Sequence, residues 1–240
     1  METRPPVDTA QSISLWYKCT GCQEVVFRGE LERNLYTCSY CDALFPLLAE
    51  KRLEYLLDAS SATNVRATDA AGFTAEGTIS GYPTCLFIAD IDVIPAEIDT
   101  SLLLASVEDA LEKRIPLITI VACQPDGYKD TLAETTYLTM QIERLVDAAL
   151  PHITVLTEGE IRPLATHLPL GELVIVEGAA TPREPVPPNL QPALHAPEEQ
   201  LLTQTPISER GNEPDISVDC YIPREALSEM LGRFLKFFSA

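Results

Sequence analysis

The chain has 240 residues, 46% hydrophobic and 22% charged, enough to bury a core and too apolar to be disordered as a whole. Its 36 acidic and 17 basic side chains leave a net charge of -19, which repels nucleic-acid phosphates and anionic membrane surfaces. Residues 1–11 hold no apolar stretch and no later run is long enough to cross a bilayer. The sequence therefore predicts a soluble, cytoplasmic protein with no secretory leader and neither membrane nor nucleic acid as a partner. In a reducing compartment seven cysteines point to metal before disulfides.

Residues 1–14 read as a loose leader. Cys19-Thr-Gly-Cys22 and Cys38-Ser-Tyr-Cys41 follow, separated by 15 residues, which suffice for a strand, a turn and a returning strand. Two CxxC knuckles bring four thiolates to the corners of a tetrahedron, the geometry of structural zinc sites. Cys19, Cys22, Cys38 and Cys41 are thus the expected ligands of one structural Zn2+, which closes the coordination sphere and holds together a module too short for a core of its own. A redox dithiol would need a strand–helix setting that neither pair has.

Pro46–Asp58 reads as a helix with Leu48, Leu53, Leu56 and Leu57 on one side, and 60–71 as a small, polar linker. Phe73–Ile79, the turn Ser80-Gly81, and Pro83–Ala89 read as a hairpin. Ser101–Arg114 reads as an amphipathic helix with Leu103, Val107, Ala110 and Leu111 inward, and Asp130–Leu150 as another with Leu138, Ile142, Leu145, Val146 and Ala149 inward. The apolar runs Leu117–Ala122, Ile153–Leu156 and Leu173–Val176 read as buried strands, so strand and helix alternate as in an α/β core with mostly parallel strands. Residues 182–214 carry eight of the 19 prolines and read as irregular. The helix expected at Pro223–Phe238 has a broad apolar face (Leu227, Leu231, Phe234, Leu235, Phe238) that either docks onto the core or meets a partner. The expected boundaries are 1–58 for the ribbon and its helix, 59–181 for the core, 182–222 for the proline-rich connection and 223–240 for the last helix.

Other chemistry-bearing residues have plain readings. Cys85, Cys123 and Cys220 are expected to be inert thiols, and His152, His167 and His195 have no partner motif. Asp90, Asp92, Glu97 and Asp99 read as a solvated acidic loop, and Trp16 as packing on the ribbon.

The residues around the knuckles say more. Leu15-Trp16-Tyr17-Lys18-Cys19-Thr20-Gly21-Cys22, then Arg28-Gly29-Glu30-Leu31-Glu32-Arg33-Asn34-Leu35, then Ala49-Glu50-Lys51-Arg52-Leu53-Glu54-Tyr55-Leu56-Leu57-Asp58 together resemble the beta subunit of bacterial multi-subunit acetyl-CoA carboxylase, its carboxyltransferase component. Gly77–Pro83, Ala110–Ile118, Leu150–Thr157 and Leu170–Leu173 continue the resemblance in order, to about residue 180. The resemblance implies a crotonase-like core of repeated ββα units in a spiral. It also implies pairing with an alpha subunit of similar fold, or with a related beta subunit. A site between the two would pass a carboxyl group from carboxybiotin to acetyl-CoA, giving malonyl-CoA for fatty acid synthesis. That chemistry needs an enolate held by backbone N–H groups, which glycine-rich loops present.

Those loops are replaced. Where the family has Gly-Gly-Ser-Met-Gly, this chain has Asp92–Asp99 with no glycine; where it has Gly-Gly-Ala-Arg-Met, Cys123–Asp130 keeps only Gly127; and a Met-Gly-Gly run gives way to Glu160–Leu164. Pro95, Pro125 and Pro163 have no N–H to donate, and Glu97, Asp126 and Glu160 oppose an enolate or a CoA phosphate. The expectation is a pseudoenzyme subunit, structural or regulatory, with no catalytic residues and acyl-CoA binding disfavoured. The alternatives are an active half with an atypical oxyanion site and a free-standing zinc-ribbon adaptor.

Overall fold

The structure is a computed structural model that describes residues 15–68, 72–89, 100–122, 132–157, 171–178 and 218–239. A two-stranded ribbon, β1 (Trp16–Lys18) and β2 (Val25–Phe27), is followed by helices α1 (Arg28–Arg33) and α2 (Ala49–Leu56). One sheet then takes β3 (Thr63–Thr68), β4 (Gly72–Ile79), β5 (Tyr82–Ala89), β6 (Leu117–Ala122), β7 (His152–Thr157), β8 (Leu173–Glu177) and β9 (Cys220–Ile222). Helices α3 (Thr100–Lys113) and α4 (Leu132–Asp147) lie between β5 and β6 and between β6 and β7, and α5 (Arg224–Phe238) follows β9.

The seven strands stand side by side in chain order. β3, β4 and β5 pair antiparallel, and β5 through β9 pair parallel. This is a crotonase-like α/β core carrying an N-terminal four-cysteine ribbon. Alternation along the strands splits the core in two. Cys85, Phe87, Leu117, Val121, Leu156, Val174 and Val176 face α3 and α4, whose Leu103, Val107, Ala110, Leu138, Ile142 and Leu145 cover them. Leu86, Ile88, Ile118, Ile120, Ile153, Val155 and Ile175 face the other way, under α2 and α5.

The hairpin follows the expected register, with Ile79 opposite Tyr82 and positive φ at both Ser80 (53°) and Gly81 (83°), the twist that two-residue hairpins favour. Asp58 fastens this turn: its carboxylate accepts from the N–H groups of Ser80 (3.0 Å) and Gly81 (2.7 Å) and from the Thr78 hydroxyl (2.6 Å). Of the two outcomes open for the last helix, docking is realised. Leu227, Leu231 and Leu235 are fully buried against the sheet. Phe238 faces solvent more than the apolar pattern suggests, at 39% exposure.

Close approach of α5 to the hairpin turn depends on Gly232. A Cβ there would meet the Ser80 hydroxyl and lie 2.8 Å from Ser80 Cβ. Helix propensity alone favours Gly232→Ala by about 1 kcal/mol. Overpacking of this contact costs about 1–3 kcal/mol, so the variant is expected to be less stable, read by its chemical denaturation midpoint.

Several expectations need correction. The segment 60–71 is not only a linker. Residues 63–68 form the edge strand β3, hidden in sequence because its side chains, Val65 among them, are largely exposed. Between the knuckles the chain makes β2 and then α1; the partner of β2 is β1, which precedes the first knuckle, so no returning strand lies between them. The helix expected from Pro46 begins at Ala49, leaving Leu48 exposed. Val146 is 52% exposed and Ala149 lies past the end of α4 with φ 54°, so neither faces the core. Residues 220–222, expected within the irregular connection, extend the sheet as β9. The loops 92–99, 123–130 and 160–164 lie outside the described residues. So do Cys123, His167, His195, Asp90 and residues 182–214.

Candidate metal centre

The two knuckles fold alike because their sequences place the same groups at the same offsets. Cys19 N–H donates to the Glu24 carbonyl (2.8 Å) and Cys38 N–H to that of Ala43 (2.9 Å). Gln23 N–H returns to the Cys19 carbonyl (3.0 Å), and Asp42 N–H to that of Cys38 (3.0 Å). Gln23 and Asp42, each one residue past a second cysteine, both adopt left-handed φ (65° and 58°). Backbone N–H groups of Gly21 and Cys22 are thereby aimed at the Cys19 sulfur, and those of Tyr40 and Cys41 at the Cys38 sulfur.

All four sulfurs lie within 4.8 Å of one another. Cys19 and Cys41 Sγ are 3.6 Å apart, and Cys22 and Cys38 Sγ 3.8 Å. A zinc–sulfur bond of about 2.3 Å requires tetrahedral edges of about 3.8 Å, so the cluster has the size a zinc ion asks for. These separations are far beyond the ~2.05 Å of a disulfide, and the cysteines are free. Cys19, Cys38 and Cys41 are buried over Val26 and Leu31, with Cys22 half-buried at the rim. Gly21 leaves room for the sulfurs: a Cβ there would stand 3.2 Å from Cys41 Sγ and 3.1 Å from Ala43 Cβ.

Burial raises the Cys38 thiol and pushes Cys41 up to about 12, whereas at Cys19 burial is outweighed by the N–H groups of Cys22 and Gly21 and the thiol is lowered. Four thiolates this close need a cation among them to coexist.

The ribbon is joined to the core by a group that sequence reasoning missed. Glu177, at the end of β8, is buried between Arg52 of α2 and Arg224 of α5. Its carboxylate accepts from Arg52 Nη1 (3.0 Å), Arg224 Nη2 (3.1 Å), the Tyr55 hydroxyl (2.9 Å) and the Thr157 hydroxyl. Burial alone would raise this carboxyl, but Arg52 and Arg224 outweigh it and hold it at about 2. Arg224 also donates to ribbon carbonyls. The signal available in sequence was positional. Arg52 sits on the stripe Ala49, Arg52, Leu53, Leu56, and Arg224 on the stripe that continues through Leu227 and Leu231, places where an apolar residue is the ordinary occupant.

Cys85 and Cys220 are not assembled into any site; burial raises both thiols, Cys85 to about 12, in keeping with inert roles. Trp16 packs on Phe27 with ring centroids 5.2 Å apart. His152 is buried with Nε2 2.9 Å from the Thr119 hydroxyl, and burial lowers it to about 4. The unfolded imidazole takes a proton near 6.5 and the folded one refuses it until about 4, so stability is full above 6.5 and falls as the pH drops between those values. A loss of about 2 kcal/mol between pH 7 and 5 is expected, and it should disappear in His152→Gln; urea midpoints at the two pH values read it.

No helix among the described residues is long and apolar enough to cross a membrane. Residues 16–41 match the family model described as the acetyl-CoA carboxylase zinc finger domain. Over its length the chain is similar to the acetyl-coenzyme A carboxylase carboxyl transferase subunit beta of Chloroflexus aggregans, 27% identical across 98% of this chain and 88% of the relative. The subunit of the same name from Desulforamulus reducens is 24% identical across 69% of each chain. Among solved structures the geranyl-CoA carboxylase beta subunit of P. aeruginosa shares the fold, with a TM-score of 0.53 and 14% identity over 81% of this chain and 42% of that one. The ribbon thus matches the acetyl-CoA carboxylase zinc finger model, and the chain as a whole is similar to acetyl-CoA carboxylase carboxyl transferase beta subunits at 24–27% identity.

Proposed function

We propose that this chain is a beta-like subunit of a carboxyltransferase complex that keeps the family's scaffold and has lost its reaction. The observation that carries the reading is the replacement of three glycine-rich segments by 92–99, 123–130 and 160–164, each with a proline and an acidic residue. One lost N–H donor could be supplied by a neighbour; replacement in three segments, each bringing a proline and negative charge, opposes an oxyanion site. Cys19, Cys22, Cys38 and Cys41 hold one zinc ion whose role is structural, since four thiolates leave no open position for substrate. The partner is a carboxyltransferase alpha subunit or a related beta subunit, and the chain's work is assembly or regulation of that complex.

An adaptor that binds its partner through the last helix is disfavoured, because the apolar face of α5 packs on the chain's own sheet. The test is transfer between malonyl-CoA and biocytin by this chain coexpressed with the alpha subunit of its own host. Copurification without activity above that of the alpha subunit alone is the expected result. Activity above it would overturn the loss of reaction, and failure to copurify with any carboxylase subunit would overturn the assembly role.

A further inference from the structure

The loop carrying Cys38 and Cys41 is closed at its tip by the cluster of thiols. At its base Thr37 pairs with Leu44, and Phe45 N–H donates to the Tyr36 carbonyl at 2.8 Å. Under that base lies the guanidinium of Arg224, the first residue of α5, which is 2% exposed. Its Nη1 donates to the carbonyls of Leu35 (3.0 Å), Tyr36 (3.3 Å) and Phe45 (3.0 Å), so one side chain grips both ends of the loop. Its Nη2 pairs with Glu177 at 3.1 Å. Leu35 and Tyr36 hold consecutive left-handed φ values of 48° and 58° without a glycine, a conformation that persists only where its surroundings over-determine it. On the other side of Arg224 is β9, a three-residue edge strand joined to β8 through three residue pairs. Short edge segments of this kind open first.

We propose that Arg224 couples the metal state of the ribbon to the docking of residues 218–231, the edge strand β9 and the first turns of α5. With the cluster closed around zinc, the loop base offers its three carbonyls to the guanidinium. When the metal leaves, the loop relaxes, those acceptors move away and water reaches a buried charge. The first turns of α5 and β9 then loosen, while β5, β6 and β7 stay packed between their helices. Such coupling is reciprocal, so Arg224 in turn tightens the hold on a metal it does not touch. Arg224 is a positioning residue in this scheme, and the scheme rests on the reading of Cys19, Cys22, Cys38 and Cys41 as a zinc site.

The experiment is hydrogen–deuterium exchange on the full chain purified with its zinc, with and without a colorimetric chelator that reports the metal released. Faster exchange in 218–231 on zinc removal, with 82–89 and 117–122 unchanged, is expected. In Arg224→Met, zinc release should quicken on the order of tenfold, within the range of about 5–150-fold usual for coupled sites, and chelation should no longer alter 218–231. Gly232→Ala loosens α5 away from the ribbon and should leave zinc release unchanged. Zinc released with no change in 218–231 would overturn the coupling alone. Equal acceleration in the Arg224 and Gly232 variants would reduce it to general destabilisation and overturn it as well. Absence of any releasable metal would overturn the zinc reading together with this one. Should Arg224→Met not fold, the comparison of the wild-type chain with and without zinc decides by itself.

Discussion

Cys38→Ser is expected to empty the metal site and unfold residues 15–45 while the centre of the sheet, β5 to β7, stays folded. The sheet packs its two faces under α2 to α5, whereas the ribbon has only Val26, Leu31 and the cysteines themselves as a buried centre. Structural zinc supplies about 10–16 kcal/mol of apparent binding energy in small fingers, most of it spent on folding. A module with so small a core cannot offset that loss. Zinc content of the purified variant and protease sensitivity across 15–45 report the outcome. A variant that retained one zinc per chain and resisted cleavage there would show that the cysteines are not the ligands.

Glu177→Gln is the second large effect. It leaves the guanidiniums of Arg52 and Arg224 buried without their carboxylate, and breaking one member of such a group costs about 3–5 kcal/mol. The same carboxylate predicts an acid limb. Its folded value of about 2 lies below the ordinary 4.5, so its contribution is complete above 4.5 and is lost as the pH falls through 2. The difference is worth about 3 kcal/mol, and the limb should flatten in Glu177→Gln. Urea unfolding at several pH values between 5 and 2.5 measures both. A variant as stable as the parent at pH 7 would show that the two arginines find equivalent partners elsewhere.

Most of the core was legible because each element announced itself locally. The Ser80-Gly81 turn, the β-branched run of β6 and the stripe of α3 are each contained within a dozen residues. The cysteine spacing placed all four sulfurs, since two identical knuckles need no long-range information. β3 was not legible because an exposed edge strand has no apolar alternation to show. The junction of Arg52, Glu177 and Arg224 was hidden for a different reason. Glu177 and Arg52 are 125 positions apart, and the apolar stripe that marks Arg52 as buried does not name its partner. Only the sheet order that places β8 beneath α2 and α5 turns them into one buried group.

The placement of α5 also has a consequence for synthesis. One face of the sheet can be covered as soon as α3 and α4 have left the ribosome, but the other, shared by α2 and α5, is not fully covered before residues 224–238. Until then Leu86, Ile118, Ile120, Ile153 and Val155 form a continuous apolar surface on a nascent chain that already has its parallel strands in register. Such a surface is prone to aggregation, so the nascent chain is open to misassembly until α5 emerges.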